Sequence, residues 1–183
     1  MTQQEETAAE RRQNNSCRNS LGGEISTFLP KGTVAVSPEH ELRCDPSWLF
    51  FQSSNGCMTP LYTEFTIQNR DNYAVCWCIK LKTNEKLFKA SPAGGFLKAK
   101  EQRTVRLYLQ PILEWQQDWQ EYTTRRIRIC VQNIRILPEL KYTTNDSEGV
   151  TAREVYRVAE RDFQFERMYT KIDVVIQRPE DLK

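Results

Sequence analysis

Histidine is nearly absent from this chain of 183 residues, which contains a single one, His40. A Ser–His or Cys–His nucleophile would depend on that one imidazole ring, and a metal site with several histidine ligands is excluded. His40 lies in a polar string between Glu39 and Glu41, so the sequence predicts a solvated loop histidine. We therefore expect no enzymatic activity, no cofactor and no metal ion.

Glycine-rich phosphate loops are missing as well. The chain has 7 glycines, and neither the GxxxxGKS/T spacing nor the GxGxxG spacing occurs among them. The pair Gly94–Gly95 follows Ser91 and Pro92, a combination that indicates a turn. We therefore do not expect a nucleotide or another small-molecule substrate.

Long apolar runs are also missing, and none approaches the roughly 18 residues that a membrane-spanning helix needs. Residues 1–23 are polar, mixed in charge and without the apolar centre of a signal peptide. We expect a cytoplasmic protein without a membrane span, in which the 6 cysteines stay reduced. Cys76 and Cys78 should share one sheet face, but the chain lacks the CxxC pair of a zinc knuckle.

A strong excess of one charge is absent too, because 26 basic residues face 24 acidic ones and the net charge is +2. This balance provides no general attraction for nucleic acid. The only residues that would favour nucleic-acid binding are four arginines close together in the sequence: Arg125, Arg126, Arg128 and Arg135. We do not expect a nucleic-acid partner.

Short strands separated by turn residues dominate from Leu42 onward. Apolar and polar residues alternate at 61–68, 75–80, 105–109 and 127–131, and further strand-like runs lie at 48–51, 87–90, 96–97 and 172–176. Helical patterns occur at 115–122 and after a capping box, Thr151–Glu154, in a helix predicted to end near Arg161. The gaps between 48 and 109 are too short for the helices of a doubly wound fold. The pattern predicts an antiparallel β-sandwich.

The composition divides the chain into three parts. Residues 1–40 are mostly polar and are predicted to form a disordered tail and linker. Residues 41–178 form the predicted domain, and 179–183 form a C-terminal tail. Within the domain, 137–169 is a long connection, which we expect to pack against the body, although such loops also carry binding sites.

Seven short motifs, in one order and spanning about residues 42–177, resemble the major sperm protein (MSP) domain. They are Leu42-x-x-Asp45-Pro46, Phe65-x-Ile67-x-Asn69 with Val75-Cys76-Trp77, Ile79-Lys80-Leu81-Lys82-Thr83-Asn84, Ser91-Pro92-Ala93-Gly94-Gly95-Phe96-Leu97, Val105-x-Leu107-x-Leu109-Gln110-Pro111, Arg128-Ile129-Cys130-Val131-Gln132 and Lys171-Ile172-x-Val174-Val175. The resemblance implies an all-β fold, an immunoglobulin-like seven-stranded antiparallel β-sandwich with short helical insertions.

The family implies one of two functions, neither of them enzymatic. VAMP-associated proteins (VAPs) are adaptors whose MSP domain binds FFAT peptides, in which two phenylalanines lie in an acidic tract. Nematode major sperm proteins are cytosolic germline proteins that dimerise and polymerise into filaments. For this chain the resemblance implies a protein-interaction module that acts as an adaptor, with cytoskeletal self-assembly as the alternative.

Alternation along two strands predicts which side chains would meet a partner. If Trp77 and Ile79 point into the core, Lys80 points outward. If Ile129 points into the core, Arg128 points outward, and so does the cysteine that follows Ile129. Two neighbouring strands would then present positive charge on the same face.

The MSP resemblance implies that these charges lie together in one site, on the face where the adaptors bind their peptides. In the adaptors a methionine helps to line the pocket for the aromatic anchor, and Cys130 stands at the matching position. The expected site for an acidic, aromatic peptide or protein partner consists of Lys80, Lys82, Arg128, Cys130 and Lys171. A different protein-binding surface, a self-assembling homodimer and a merely solvated face stay open as alternatives.

Overall fold

The computed structural model describes residues 38–53, 55–81, 86–111, 113, 119–123, 126–136, 148–162 and 168–177. Several sequence predictions fall outside these ranges, namely the tail before residue 38, Lys82, Trp115, the segment 137–147 and the tail after 178. Within the described part of the chain, no helix is both long enough and apolar enough to cross a lipid bilayer.

The described strands form two β-sheets. The first has four strands in the spatial order β1 (Arg43–Asp45), β3 (Leu61–Gln68), β7 (Gln102–Leu109) and β5 (Phe88–Ser91). The second has five, in the order β2 (Trp48–Gln52), β9 (Met168–Gln177), β8 (Ile127–Arg135), β4 (Val75–Lys80) and β6 (Gly94–Leu97). The described residues also contain two helices, α1 (Trp119–Thr123) and α2 (Glu148–Asp162).

The predicted β-sandwich is confirmed, although the described residues contain nine strands rather than seven. The chain crosses from the first sheet to the second through Pro46 and Ser47. After this crossing β2 lies beside β9 and runs parallel to it, whereas the other neighbouring strands are antiparallel. The N–H of Asp173 donates to the carbonyl of Ser47 at 3.0 Å, where this parallel pair begins.

The main core lies between the two sheets. Phe65, Trp77 and Phe88 are among its fully buried side chains, as the period-two alternation predicts for Phe65 and Trp77. Burial of a large apolar side chain stabilises the fold by roughly 1.5–3 kcal/mol. A slip of one residue would turn these side chains to the solvent, so the core fixes the register of each strand. The register in turn fixes which side chains point away from the sandwich.

A second, smaller core lies on the outer face of the five-stranded sheet, beneath α2. Cys76, Phe96 and Ile134 project from the sheet and pack in the same cluster as Ala152 and Val155 of the helix. Burial raises the pKa of the Cys76 thiol well above its ordinary value. This part of the long connection packs against the body, as predicted, but as a helix of 15 residues rather than a short insertion.

Helix α2 begins at Glu148, so the capping box predicted at Thr151 is wrong. The reason is a nearly buried carboxylate, which attaches the start of the helix to the sheets. Glu148 accepts a hydrogen bond from the backbone N–H of Phe96 at 2.9 Å and another from Nη1 of Arg103 at 2.7 Å. The helix ends at Asp162, close to the predicted end.

The glycine pair Gly94–Gly95 lies within strand β6, so the predicted turn is wrong at these two residues. Close approach by other groups explains the glycines. A Cβ on Gly94 would lie 2.9 Å from the carbonyl oxygen of Trp77, and one on Gly95 would lie 2.6 Å from Oε1 of Glu148. Glycine therefore allows β6 to pair with β4 and leaves room for the carboxylate that holds α2.

His40 lies in a bend with an exposed side chain, as predicted, but it also has a buried partner that the sequence did not indicate. Nδ1 of His40 lies 2.6 Å from Oδ1 of Asp71, whose side chain is only 1% exposed, while the His40 side chain is 46% exposed. The His40 carbonyl also accepts a hydrogen bond from Nδ2 of Asn133 at 3.2 Å. A buried carboxylate requires a polar partner, and this requirement fixes residues 38–40 against the domain.

Candidate functional site

The outer face of the five-stranded sheet has a covered half and an open half. The covered half is the part of β4, β6 and β8 on which α2 packs. The open half is the outer face of β2, β9 and the start of β8. It is defined here by Trp48, Phe50, Arg126, Arg128, Tyr169, Lys171 and Asp173.

One row of side chains crosses the boundary between the two halves. In the strand register Lys80 of β4 is opposite Cys130 of β8, which is opposite Lys171 of β9. Directly opposite residues share one face of a sheet, with Cβ atoms about 4.5–5.5 Å apart. Cys130 is only 6% exposed, so the surface of this row is formed mainly by the two lysines.

A second row, next to the first, contains Arg128 of β8, Asp173 of β9 and Trp48 of β2. The carboxylate of Asp173 accepts hydrogen bonds from Arg126 and, at 3.3 Å, from Nε of Arg128. The bonds from Arg126 are the main cause that lowers the pKa of Asp173 below its ordinary value. One carboxylate thus holds two exposed guanidinium groups in place on the open half.

Aromatic rings lie beside these charges. Trp48 is 43% exposed and Phe50 is 49% exposed, and their ring centroids are 6.5 Å apart. Cζ of Arg126 lies 4.5 Å from the centroid of the Trp48 ring, within the range of a cation–π contact. Nζ of Lys171 lies 5.4 Å from the ring of Tyr169. The open half therefore combines positive charge with accessible aromatic surface.

The structure brings three of the five predicted site residues, Lys80, Arg128 and Lys171, to the same outer face. Cys130 lies between the two lysines in the register, but its side chain is almost wholly buried and presents little surface to a partner. Lys82 lies outside the described residues.

Comparison with known proteins gives a result only at the level of structure. No protein-family model matches this sequence, and no curated protein matches it. Among solved structures it is similar to WR4, an MSP family member from Caenorhabditis elegans, with 13% identity over 75% of this chain and 99% of that one and a TM-score of 0.48. SSP-19, an MSP-domain-like protein of the same nematode, has 10% identity over 73% of this chain and 99% of its own, with a TM-score of 0.46.

A human protein is similar to the chain to a comparable degree. The ASH or PapD-like domain 7 of CEP192 has 10% identity over 82% of this chain and 92% of its own, with a TM-score of 0.44. These are similarities of structure only, and the two-sheet β-sandwich itself follows from the strand pairing within this protein.

The predicted site lacked five residues of the open half, namely Trp48, Phe50, Arg126, Tyr169 and Asp173. Trp48 and Phe50 alternate with the buried Leu49 and Phe51, but all four are apolar or aromatic, so alternation did not separate the two faces. Asp173 could have been found from the sequence, because a charged residue inside an otherwise apolar strand needs a cationic partner nearby.

Proposed function

We propose that this protein is a non-enzymatic protein-interaction module whose open half binds an acidic, aromatic-containing segment of a protein partner. The observation that carries the proposal is the presence of exposed cations and exposed aromatic rings on one sheet face. An FFAT-like segment, with phenylalanines in an acidic tract, has the matching chemistry.

The charges on this face favour an acidic partner. Lys80, Arg126, Arg128 and Lys171 share the outer face with the carboxylate of Asp173. The single charge of Asp173 offsets one of the two arginine charges, and the two lysines add further positive charge, so the face remains positive. Such charges accelerate encounter and select the orientation of the partner, and salt screens their effect.

The aromatic rings favour a partner that also carries an apolar group. Binding energy at protein interfaces is concentrated in a few aromatic and arginine side chains. Trp48 and Phe50 offer about half of their surface to a partner, and Arg126 above the Trp48 ring presents a flat surface on which a further ring can stack. An acidic segment with a phenylalanine would contact both kinds of group at once.

The direct test is binding of a fluorescein-labelled peptide in which one phenylalanine is flanked on each side by three glutamates. We expect fluorescence anisotropy to show binding that weakens as salt is added. The variant Arg128→Asp/Lys171→Asp should bind the peptide at least about tenfold more weakly, a loss that corresponds to about 1.4 kcal/mol. Circular dichroism and urea unfolding would establish that the variant is folded.

A matched control changes the same net charge elsewhere. Arg43 and Lys98 are exposed, and neither belongs to the open half, so Arg43→Asp/Lys98→Asp should keep most of the affinity. Two results contradict the proposal: no binding by the unmodified protein, or an equal loss in the two variants, which would indicate a non-specific charge effect.

Self-assembly is a second candidate function, and the position of β2 favours it. Among the described strands, β2 is at the edge of the five-stranded sheet, and it presents Trp48 and Phe50 to the solvent. An exposed edge strand can pair with another chain. Light scattering over a concentration series distinguishes the two functions, because only self-assembly requires growth of large particles, and Phe50→Asp should suppress that growth.

A further inference from the structure

We propose that the bound acidic segment continues past Lys80 into a second subsite, a basic groove between α2 and the strands β4, β5 and β6. Its occupant is an acidic stretch of the protein partner that places one apolar side chain in the groove. The inference rests on the proposed function, because it extends the same bound segment beyond the open half.

The groove has the size and lining of a side-chain pocket. Its volume is about 810 Å³, within the roughly 300–1,000 Å³ that is usual for ligand sites. The accessible apolar part of the lining consists of Ile79, Leu81, Ala90 and Ala93. An apolar side chain of a partner could be buried here, because burial of apolar surface is the main favourable contribution to association.

The polar part of the lining is strongly positive. It carries four cationic side chains, Lys80 from β4, Lys89 from β5, and Arg153 and Arg157 from α2. None of the described lining residues is acidic. Because the cations come both from the strands and from the helix, a carboxylate entering the groove would be attracted from two sides.

Helix α2 is arranged to present its arginines to the groove. Arg153 and Arg157 are four residues apart and so share one helix face. Nε of Arg157 donates to Glu154 at 2.8 Å, and a guanidinium has five N–H donors in all. Arg157 therefore has donors left for a carboxylate of the partner. Gly149 and Gly94 also line the groove, and a Cβ on Gly149 would lie 3.7 Å from the Gly94 carbonyl oxygen.

Lys80 connects the groove to the open half. It lines the groove, and it also belongs to the row that leads through Cys130 to Lys171. Neighbouring strands lie about 4.8 Å apart, so the path from β9 to β4 is on the order of 10 Å, which an extended peptide spans in about three residues. A single acidic tract can therefore contact both subsites, which favours a peptide over a small anion.

Two peptides of equal charge test the subsite. The first is the probe with one phenylalanine used for the open half, and the second carries an additional phenylalanine separated from the first by three glutamates. The unmodified protein should bind the second peptide about tenfold more tightly, the equivalent of about 1.4 kcal/mol. In Lys89→Glu/Arg153→Glu this gain should disappear, whereas Arg43→Glu/Lys98→Glu, with the same charge change, should keep it.

Nuclear magnetic resonance adds a readout that does not depend on charge. The second peptide should shift the backbone amide signals of Ala90, Ala93 and Gly94, and the first should not. The proposal of a second subsite is contradicted if the Lys89→Glu/Arg153→Glu variant keeps the full gain in affinity for the second peptide, or if these amide signals do not move. If that occurs while Arg128→Asp/Lys171→Asp still loses the first peptide, the proposed function stands and only the groove is rejected. If the unmodified protein binds neither peptide, both are rejected.

Discussion

The covered half and the open half belong to one face of one sheet, yet their outward side chains are buried in the first and exposed in the second. In the covered half the outward positions of β4, β6 and β8 are Cys76, Phe96 and Ile134, all buried beneath α2. In the open half the outward positions include Lys171 and Phe50, both exposed to solvent. The same alternation thus builds a second core at one end of the face and an accessible surface at the other.

This difference shows that outward direction and exposure are separate properties. Alternation along a strand determines on which face a side chain lies. Whether that face is free depends on what packs on it, and here the answer changes along β8, which is open at Arg128 and covered by α2 at Ile134. A binding site can be inferred only for the part of the face that α2 leaves open or borders.

The largest expected effect on stability comes from truncating one phenylalanine side chain in the covered half, and the comparison is the same truncation in the open half. Phe96→Ala removes a fully buried ring from the second core and should lower the free energy of unfolding by about 3–5 kcal/mol. Phe50→Ala removes a ring that is 49% exposed and should cost less than about 1 kcal/mol. Urea unfolding measures both, and similar losses would mean that the two halves do not differ as described.

A smaller effect is expected when the attachment of α2 is weakened. Glu148→Ala removes the acceptor of the Phe96 N–H and of Arg103, and loss of such buried bonds costs about 1–3 kcal/mol. Hydrogen exchange should speed up in α2 while β3 and β7 stay protected. The control Glu154→Ala breaks only an ion pair near the surface with Arg157. Equal exchange in the two variants would contradict the role of Glu148.

The smallest effect concerns the carboxylate of the open half and depends on pH. Because the pKa of Asp173 is lowered in the folded protein, chiefly by hydrogen bonds from Arg126, the ionised form stabilises the fold. This contribution is complete above the ordinary pKa of 3.8 and is lost as the pH falls through the lowered value. The stability difference between the unmodified protein and Asp173→Asn should therefore shrink in acid. Urea midpoints over a pH series measure it, and a constant difference would disprove it.

Much of the architecture could be predicted from the pattern of residues. The alternation Val75–Ile79 and Ile127–Val131 indicated the inward and outward faces of β4 and β8, and the structure confirms the directions of Trp77 and Arg128. The sandwich followed from short strands and turn signals. These predictions succeeded because each depends on a local period of two and on burial of one face.

Other features depend on contacts between distant residues, which a local pattern does not contain. Glu148 begins α2 because it meets Phe96 and Arg103 from other elements, so the local capping signal was misleading. His40 is held by Asp71, 31 residues further along the chain. The groove likewise combines side chains from β4, β5 and α2, and the spacing of its residues in the sequence gives no indication that they meet.

The parallel pairing of β2 with β9 also has a consequence for biosynthesis. In the hydrogen bond between Gln52 and Gln177 the partners are 125 residues apart, and β9 occupies an interior position in its sheet, between β2 and β8. On the ribosome, β2 and β8 both emerge before the strand that joins them. The sheet can therefore be completed only after residue 177 has left the exit tunnel. Until then β2, with its aromatic side chains, is an unpaired strand that could associate with neighbouring nascent chains.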